Sequence, residues 1–153
     1  MSSILSILRN AYILLVNYKD METMVKEGCY GFVDHHITSH NFPTDQKNTT
    51  GKVVLTLISF DREMSTKEVF EEFNKKGLRP AKPHELLEFL VSREKLPEAQ
   101  DNSIIVALGF VWQDEYDRPY VLFYYHFCSM RHLYLRKAEG PWNMNYLFAA
   151  VCA

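Results

Sequence analysis

The sequence carries none of the common catalytic signatures. There is no phosphate loop, no Gly-x-Ser-x-Gly elbow, no Rossmann fingerprint and no His-Glu-x-x-His helix. Internal repeats and low-complexity tracts are also missing. Charge of one sign is not in excess: 17 basic and 19 acidic residues leave a net charge of −2, so the whole chain has no electrostatic footprint for nucleic acid. Cysteine is scarce. Cys29, Cys128 and Cys152 are odd in number and widely spaced, with no Cys-x-x-Cys. This argues against a secreted disulfide scaffold and for reduced thiols, with Cys128 and Cys152 as small core residues inside apolar strands.

No uninterrupted apolar run is long enough to span a bilayer, because Arg9 and Asn10 break the most apolar stretch. No positive charge precedes that stretch and no small-x-small cleavage site follows it, so a signal peptide is not expected. These features point to a soluble, cytoplasmic protein. What remains is ordinary for a globular domain: 153 residues, 47% hydrophobic and 24% charged. That length suits a single domain able to bury a core without metal or disulfide.

Along the chain, Ile4, Leu5, Leu8, Ala11, Tyr12 and Leu15 recur at spacings of three and four, predicting an amphipathic helix in an N-terminal extension over residues 1–20. It either packs on the domain or docks a membrane or partner, though its polar face lacks basic character. Residues 21–153 then form one α+β domain. Residues 28–50 read as irregular, from Gly28, Gly31, Pro43 and a polar run up to Gly51. The β-branched run at 53–60 predicts a strand. Ser65-Thr66-Lys67-Glu68 is a capping box opening a helix with Val69, Phe70 and Phe73 buried, and Gly77 stops that helix. A second helix begins at Pro83, with Leu86, Leu87, Phe89 and Leu90 apolar, and Pro97 blocks its extension. Strands follow at 104–112, 119–127, 131–137 and 146–152. Helices early and strands late give an α+β fold, with early helices on a mostly antiparallel sheet formed largely by the C-terminal half.

Three groups of residues carry chemical interest. Asp34, His35, His36 and His40 contain metal-ligand side chains. On a helix His36 and His40 would share a face at zinc-chelating spacing, with Asp34 as third ligand. The glycine and proline around them instead favour a polar loop. The second group is aromatic: 12 of the 21 aromatic residues fall between Phe110 and Phe148. Strand alternation puts Tyr120, Leu122, Tyr124 and His126 on one face and Val121, Phe123, Tyr125 and Phe127 on a core face. Joined by His132, Tyr134 and Arg136, and flanked by Trp112 and Trp142, the first set predicts a binding face for a protein or small molecule, unless helices cover it. Arg118, Arg131, Arg136 and Lys137 beside those rings would suit single-stranded nucleic acid, but Asp114, Glu115, Asp117 and Glu139 oppose it. The third group is Arg79 between two helix ends, read as a brace near the C-terminal carbonyls of the preceding helix with Glu85 as partner, the alternative being an anion-binding arginine facing a cleft. As candidate catalytic acids, Asp61, Glu85 and Glu94 have no visible partner. The leading expectation is a non-catalytic binding module. The alternatives are a metal-binding protein or metal-dependent enzyme, with zinc as the implied ion, and a nucleic-acid binder.

Several blocks also carry a family resemblance. They are Asp34-His35-His36-Ile37-Thr38 with Asn41-Phe42-Pro43, Phe60-Asp61-Arg62, the run from Gly77 to Leu87, the run from Ile105 to Trp112, and Phe148-Ala149-Ala150-Val151. In this order they resemble a family of uncharacterised small proteins from ultrasmall, uncultivated bacteria of the candidate phyla. That resemblance implies a shape and no mechanism. Lys82 stands where the family usually has a capping threonine. Phe110 stands where a small residue usually follows Leu-Gly, implying that a pocket or backbone approach beside Gly109 is filled here. At greater distance, the layout of capped helix, Gly-x-Arg-Pro, helix and late strands is similar to C-type-lectin-like domains, including those related to formylglycine-generating enzymes. Those oxidases depend on a cysteine pair, and Cys128 and Cys152 lie in apolar strand patterns, so no activity is implied.

Overall fold

A computed structural model describes residues 4–6, 11–44, 49–92 and 103–153. In chain order the elements are β1 (Ile4–Ser6), β2 (Tyr12–Asn17), α1 (Met21–Glu27), β3 (Phe32–Val33), β4 (Thr50–Phe60), α2 (Thr66–Lys75), β5 (Leu78–Pro80), α3 (Pro83–Ser92), β6 (Ile104–Gln113), β7 (Pro119–Phe127), β8 (Met130–Lys137) and β9 (Tyr146–Cys152). The strands join in one mixed sheet in the order β1-β4-β9-β6-β7-β8-β3, with β2 also on β4 and β5 also on β9. All pairs are antiparallel except β6 with β9 and β3 with β8. This is the expected single α+β domain. The chain before α3 contributes more of the sheet than expected, through the long strand β4, the strands β1 and β2 that pair with it, and the short strands β5 on β9 and β3 on β8.

Two apolar layers explain how the sheet is held. One face packs beneath α1 and α3, with Leu14, Val16, Leu55, Leu87, Phe89, Leu122, Tyr124 and Leu133 among its buried residues. The other packs beneath α2, where Val69 and Phe73 meet Ile58, Val106, Val121, Trp142 and Phe148. The capping box at α2 is present as read: Ser65 Oγ accepts from the Glu68 amide at 3.2 Å and the Glu68 carboxylate accepts from the Ser65 amide at 2.9 Å. Gly77, just past that helix, has φ +68°, a conformation that L side chains resist. Pro83 opens α3.

Several expectations are corrected. The helix expected over the first 18 residues is absent where the chain is described: residues 4–6 and 12–17 are strands, and residues 7–10 lie outside the described set. Residues 12–17 read YILLVN, a β-rich run in which Leu14 and Val16 are buried while Ile13 and Leu15 are 64% and 63% exposed. Period two competes with period three to four over so short a segment, and six pairs with β4 decide it. Three short elements differ from the expectation: α1 with Asp20 as its cap, β3 inside the stretch expected to be irregular, and β5 where a turn was expected. Phe70 lies outside the buried stripe of α2, 37% exposed. Cys128 and Cys152 are exposed free thiols rather than core residues, as is Cys29. Cys128 and Ser129, both with positive φ, form the two-residue turn between β7 and β8, and Cys152 ends its strand. The polar run at 45–48, Glu94 and the stop at Pro97 lie outside the described residues. No helix among the described residues is long and apolar enough to cross a membrane.

Candidate functional site

Strand parity places the predicted aromatic residues on two faces. Register pairs Val121 with Arg136, Phe123 with Tyr134 and Tyr125 with His132, while Leu122 faces Leu135 and Tyr124 faces Leu133. Directly paired residues share a face, so His132, Tyr134 and Arg136 lie with Phe123 and Tyr125, opposite Tyr124. The expected grouping is therefore corrected. Tyr124 is wholly buried under the helices, and its hydroxyl accepts from Arg131 Nε at 3.4 Å. His126 is half-buried on the same side. On the other side, Phe32, Tyr125, His132 and Tyr134 form a run of neighbouring rings, with His132 and Tyr134 stacked at 5.6 Å. Phe127 stacks on Tyr125 at 5.7 Å and is itself exposed, so this supposed core face is partly open.

Two predicted binding residues are structural. Trp142 is fully buried and donates its indole N–H to Thr66 Oγ1 at 2.8 Å. Arg136 lies over the Trp142 and Tyr146 rings and donates to the Pro141 carbonyl. Cations needed for a nucleic-acid surface are largely committed in the same way. Arg131 donates to the carbonyls of Gly28 and Leu90, and Arg118 pairs with Asp114 at 3.0 Å.

The other candidates converge. Asp34, His36, Trp112 and Tyr120 line one cleft of about 560 Å³, together with Asp114, Glu115, Tyr116, Arg118 and Leu135. Each side is positioned by backbone geometry. After β3, the Asp34 amide donates to the Leu133 carbonyl, continuing the parallel pairing with β8. Asp34 Oδ1 then accepts from the His36 amide and contacts His36 Nδ1, both at 2.9 Å. Ile37 and Phe42 plug into the core, and Asn41 holds the His36 carbonyl, so the short turn presents His36 outward from an anchored base.

On the strand side, pairing of β6 with β7 is interrupted between Ala107 and Trp112. Within this irregularity the Gly109 amide donates to the Ala81 carbonyl at 2.8 Å, and a Cβ on Gly109 would sit 2.5 Å from that oxygen. The backbone approach inferred beside Gly109 is thus real. Phe110 does not close the space there: a separate cavity of about 430 Å³ keeps Gly109 and Phe110 among its walls. Pairing resumes at Trp112 with Tyr120, whose rings lie 5.9 Å apart, and the His36 ring tilts onto Trp112 at 5.0 Å.

The histidine group is smaller than expected. Asp34, His35 and His36 bring ligand-type atoms within 4.8 Å of one another, and His40 is not among them. The segment is a sequence of turns, so the helical spacing that would join His36 to His40 never arises. The sequence offers Arg118 only as a nucleic-acid contact and gives no site role to Leu135 or residues 114–117, because only the fold brings them beside His36. Asp114 is the frame of that turn, accepting from the Tyr116 and Arg118 amides and from Arg118 Nε. Those donors hold its carboxyl below the usual range, against a desolvation that pushes the other way and is the largest single contribution.

The third group fulfils its expected pairing. Arg79 makes a two-pronged contact with Glu85, at 2.9 and 2.6 Å. Glu85 is fully buried and also accepts from the Lys82 amide at 2.8 Å and from the Tyr18 hydroxyl at 3.4 Å. The remaining Arg79 contact goes to its neighbour's carbonyl, Pro80 O, rather than to the carbonyls ending α2.

Comparison with family models, with curated proteins and with solved structures finds no match.

Proposed function

We propose that this chain is a small ligand-binding module whose site is the cleft between the Asp34–His36 turn and the Trp112–Tyr120 pair, and that its ligand is a sugar unit. The observation that carries this is the meeting, in one cavity, of an aromatic wall and a carboxylate–imidazole pair. Trp112 and Tyr120, with Leu135, offer an apolar surface to the C–H face of a ring. Asp34 spends Oδ1 on His36, which orients the imidazole and leaves Oδ2 and His36 Nε2 for a ligand. Glu115 adds a second exposed carboxylate at the rim, while Asp114 is held by Arg118. Acceptors of this kind favour a ligand rich in hydroxyl donors, and few convergent polar groups in a largely preformed cleft are the usual form of a small-molecule site. Calorimetric titration with a panel of mono- and oligosaccharides tests this. A binder whose affinity falls at least about tenfold in both Trp112→Ala and Asp34→Asn supports it. A panel without binders, or binding indifferent to both substitutions, refutes it.

A second reading is favoured by the proximity of Asp34, His35 and His36: a divalent metal such as zinc held there. Asp34 Oδ1 is already engaged with His36, the arrangement in which a carboxylate orients a ligating histidine from behind. That leaves fewer protein ligands than a closed tetrahedral site uses. Metal analysis of tag-free protein decides it: stoichiometric zinc lost in His36→Ala supports the metal, and no metal with no thermal shift on adding zinc removes it.

A further inference from the structure

The hairpin between β6 and β7 brings one more ring to the His36 cleft. Beyond the Trp112–Tyr120 pair, Gln113 pairs with Pro119, and the Asp114 amide donates to the Arg118 carbonyl at 3.0 Å. The hairpin thus runs two residues past that pair, about 7 Å along the strand, before it turns through Glu115, Tyr116 and Asp117. Tyr116 stands in this turn and lines the cleft, yet it is 69% exposed. The cleft encloses about 560 Å³, room for more than the single pyranose ring that Trp112 and Tyr120 would seat.

The Tyr116 ring is held before any ligand arrives. Its amide donates to Asp114 Oδ1 at 2.9 Å and the Asp117 amide to the Asp114 carbonyl at 3.0 Å, which fixes the base of the turn. The Arg118 guanidinium carbon lies 4.9 Å from the ring centre, on one face of the ring, and the exposure of the side chain belongs to the rest of it. Arg118 spends Nε on Asp114 Oδ2 at 3.0 Å, which positions the guanidinium and leaves its two Nη groups as donors. A ring already immobilised gives up little freedom when a ligand stacks on it. Polarity also changes along the cleft. Asp34 offers an acceptor at one wall, and Arg118 offers donors beside Tyr116. Sugar hydroxyls both donate and accept, so two linked units can satisfy both places, each against its own ring.

We propose that the ligand of this cleft is an oligosaccharide of at least two units, the inner unit lying on Trp112 and Tyr120 and the next stacking on Tyr116 and accepting from Arg118. This rests on the sugar reading of the cleft and adds Tyr116 as the residue that sets preference for chain length.

Calorimetric titration of the full chain with three series tests it: glucose, cellobiose and cellotriose; glucose, maltose and maltotriose; and N-acetylglucosamine with its β-1,4-linked dimer and trimer. In the series that binds, the disaccharide should bind at least about tenfold tighter than its monosaccharide. Tyr116→Ala, an exposed substitution, should remove that gain and leave the monosaccharide affinity unchanged, which also shows that the fold is intact. Tyr116→Trp should keep the gain. Equal affinity along a series, a gain that survives Tyr116→Ala, or equal loss of mono- and disaccharide in Tyr116→Ala overturns the proposal. In each of those cases a loss of binding in Trp112→Ala leaves the sugar site itself standing. Binding by no member overturns this proposal and the sugar reading together.

Discussion

At the scale of single residues, the buried carboxylate of Glu85 fixes more of the structure than its position in the sequence announces. It ties β5 to α3 through Arg79, caps the first turn of α3 through the Lys82 amide, and reaches the segment after β2 through Tyr18. Burial of the phenol, with the Glu85 charge beside it, raises the Tyr18 pKa. Removing one partner of such a pair leaves an uncompensated buried charge. Arg79→Ala should therefore cost about 3 kcal/mol in urea unfolding. Replacing both partners, Arg79→Met with Glu85→Leu, should restore most of that loss. Full stability in Arg79→Ala would show that the remaining bonds to Glu85 suffice.

His84 gives a pH dependence of known sign. Desolvation lowers its pKa from 6.5, with Lys82 acting in the same direction and Glu85 against it. The unfolded chain then takes up a proton before the folded one does, so stability is full above about pH 6.5 and falls as pH drops toward the folded value. Carboxylates held below their ordinary values, such as Glu22 and Glu68, lose their contribution only at lower pH. Urea midpoints at about pH 7.5 and about pH 5.5 should differ in the parent chain and converge in His84→Gln. A slope unchanged by that substitution would assign it to other groups.

At the scale of elements, short-range chemistry was legible and short strands were not. The capping box, the stop at Gly77, the start at Pro83 and the four late strands all stand where local residues put them, since each is set by backbone rules a few residues long. Residues 12–17 are the contrary case. Leu15 fits a helical stripe in the sequence, yet pairing with β4 turns it to solvent and buries Leu14 and Val16. Leu14→Ala should cost about 3 kcal/mol, and Leu15→Ala close to nothing. A helix along the stripe would reverse that order. The same parity error misplaced Tyr124: alternation along β7 was correct, but which face lies under α3 is a tertiary fact. The register of β8 against β7 likewise decides where His132 and Tyr134 go.

At the scale of the molecule, the sheet is covered unequally. Helices α1 and α3 cover one face and α2 covers part of the other, leaving the rings of Phe32, Tyr125, Phe127 and His132 on the uncovered remainder. The candidate cleft lies at the border of the α1–α3 layer, where the loop after β3 meets the interrupted part of β6. Apart from Leu135 on β8, its members come from residues 34–36 and 112–120, segments that carry two separate readings in the sequence, one of metal and one of aromatic binding. Nothing in the linear order joins them. Pairing of β3 with β8 and of β6 with β7 does.

Tryptophan emission tests the central claim most directly. The chain has two tryptophans, and Trp142 is buried against Thr66 and Phe148, so a Trp142→Phe protein reports on Trp112 alone. Titrating that protein with the saccharide panel should give a saturable change in Trp112 emission for the members that bind, and Asp34→Asn in the same background should shift the saturation to higher concentration. Saccharide binding detected by calorimetry with no change in Trp112 emission, or no binding of any member, would contradict the assignment of this cleft as the site.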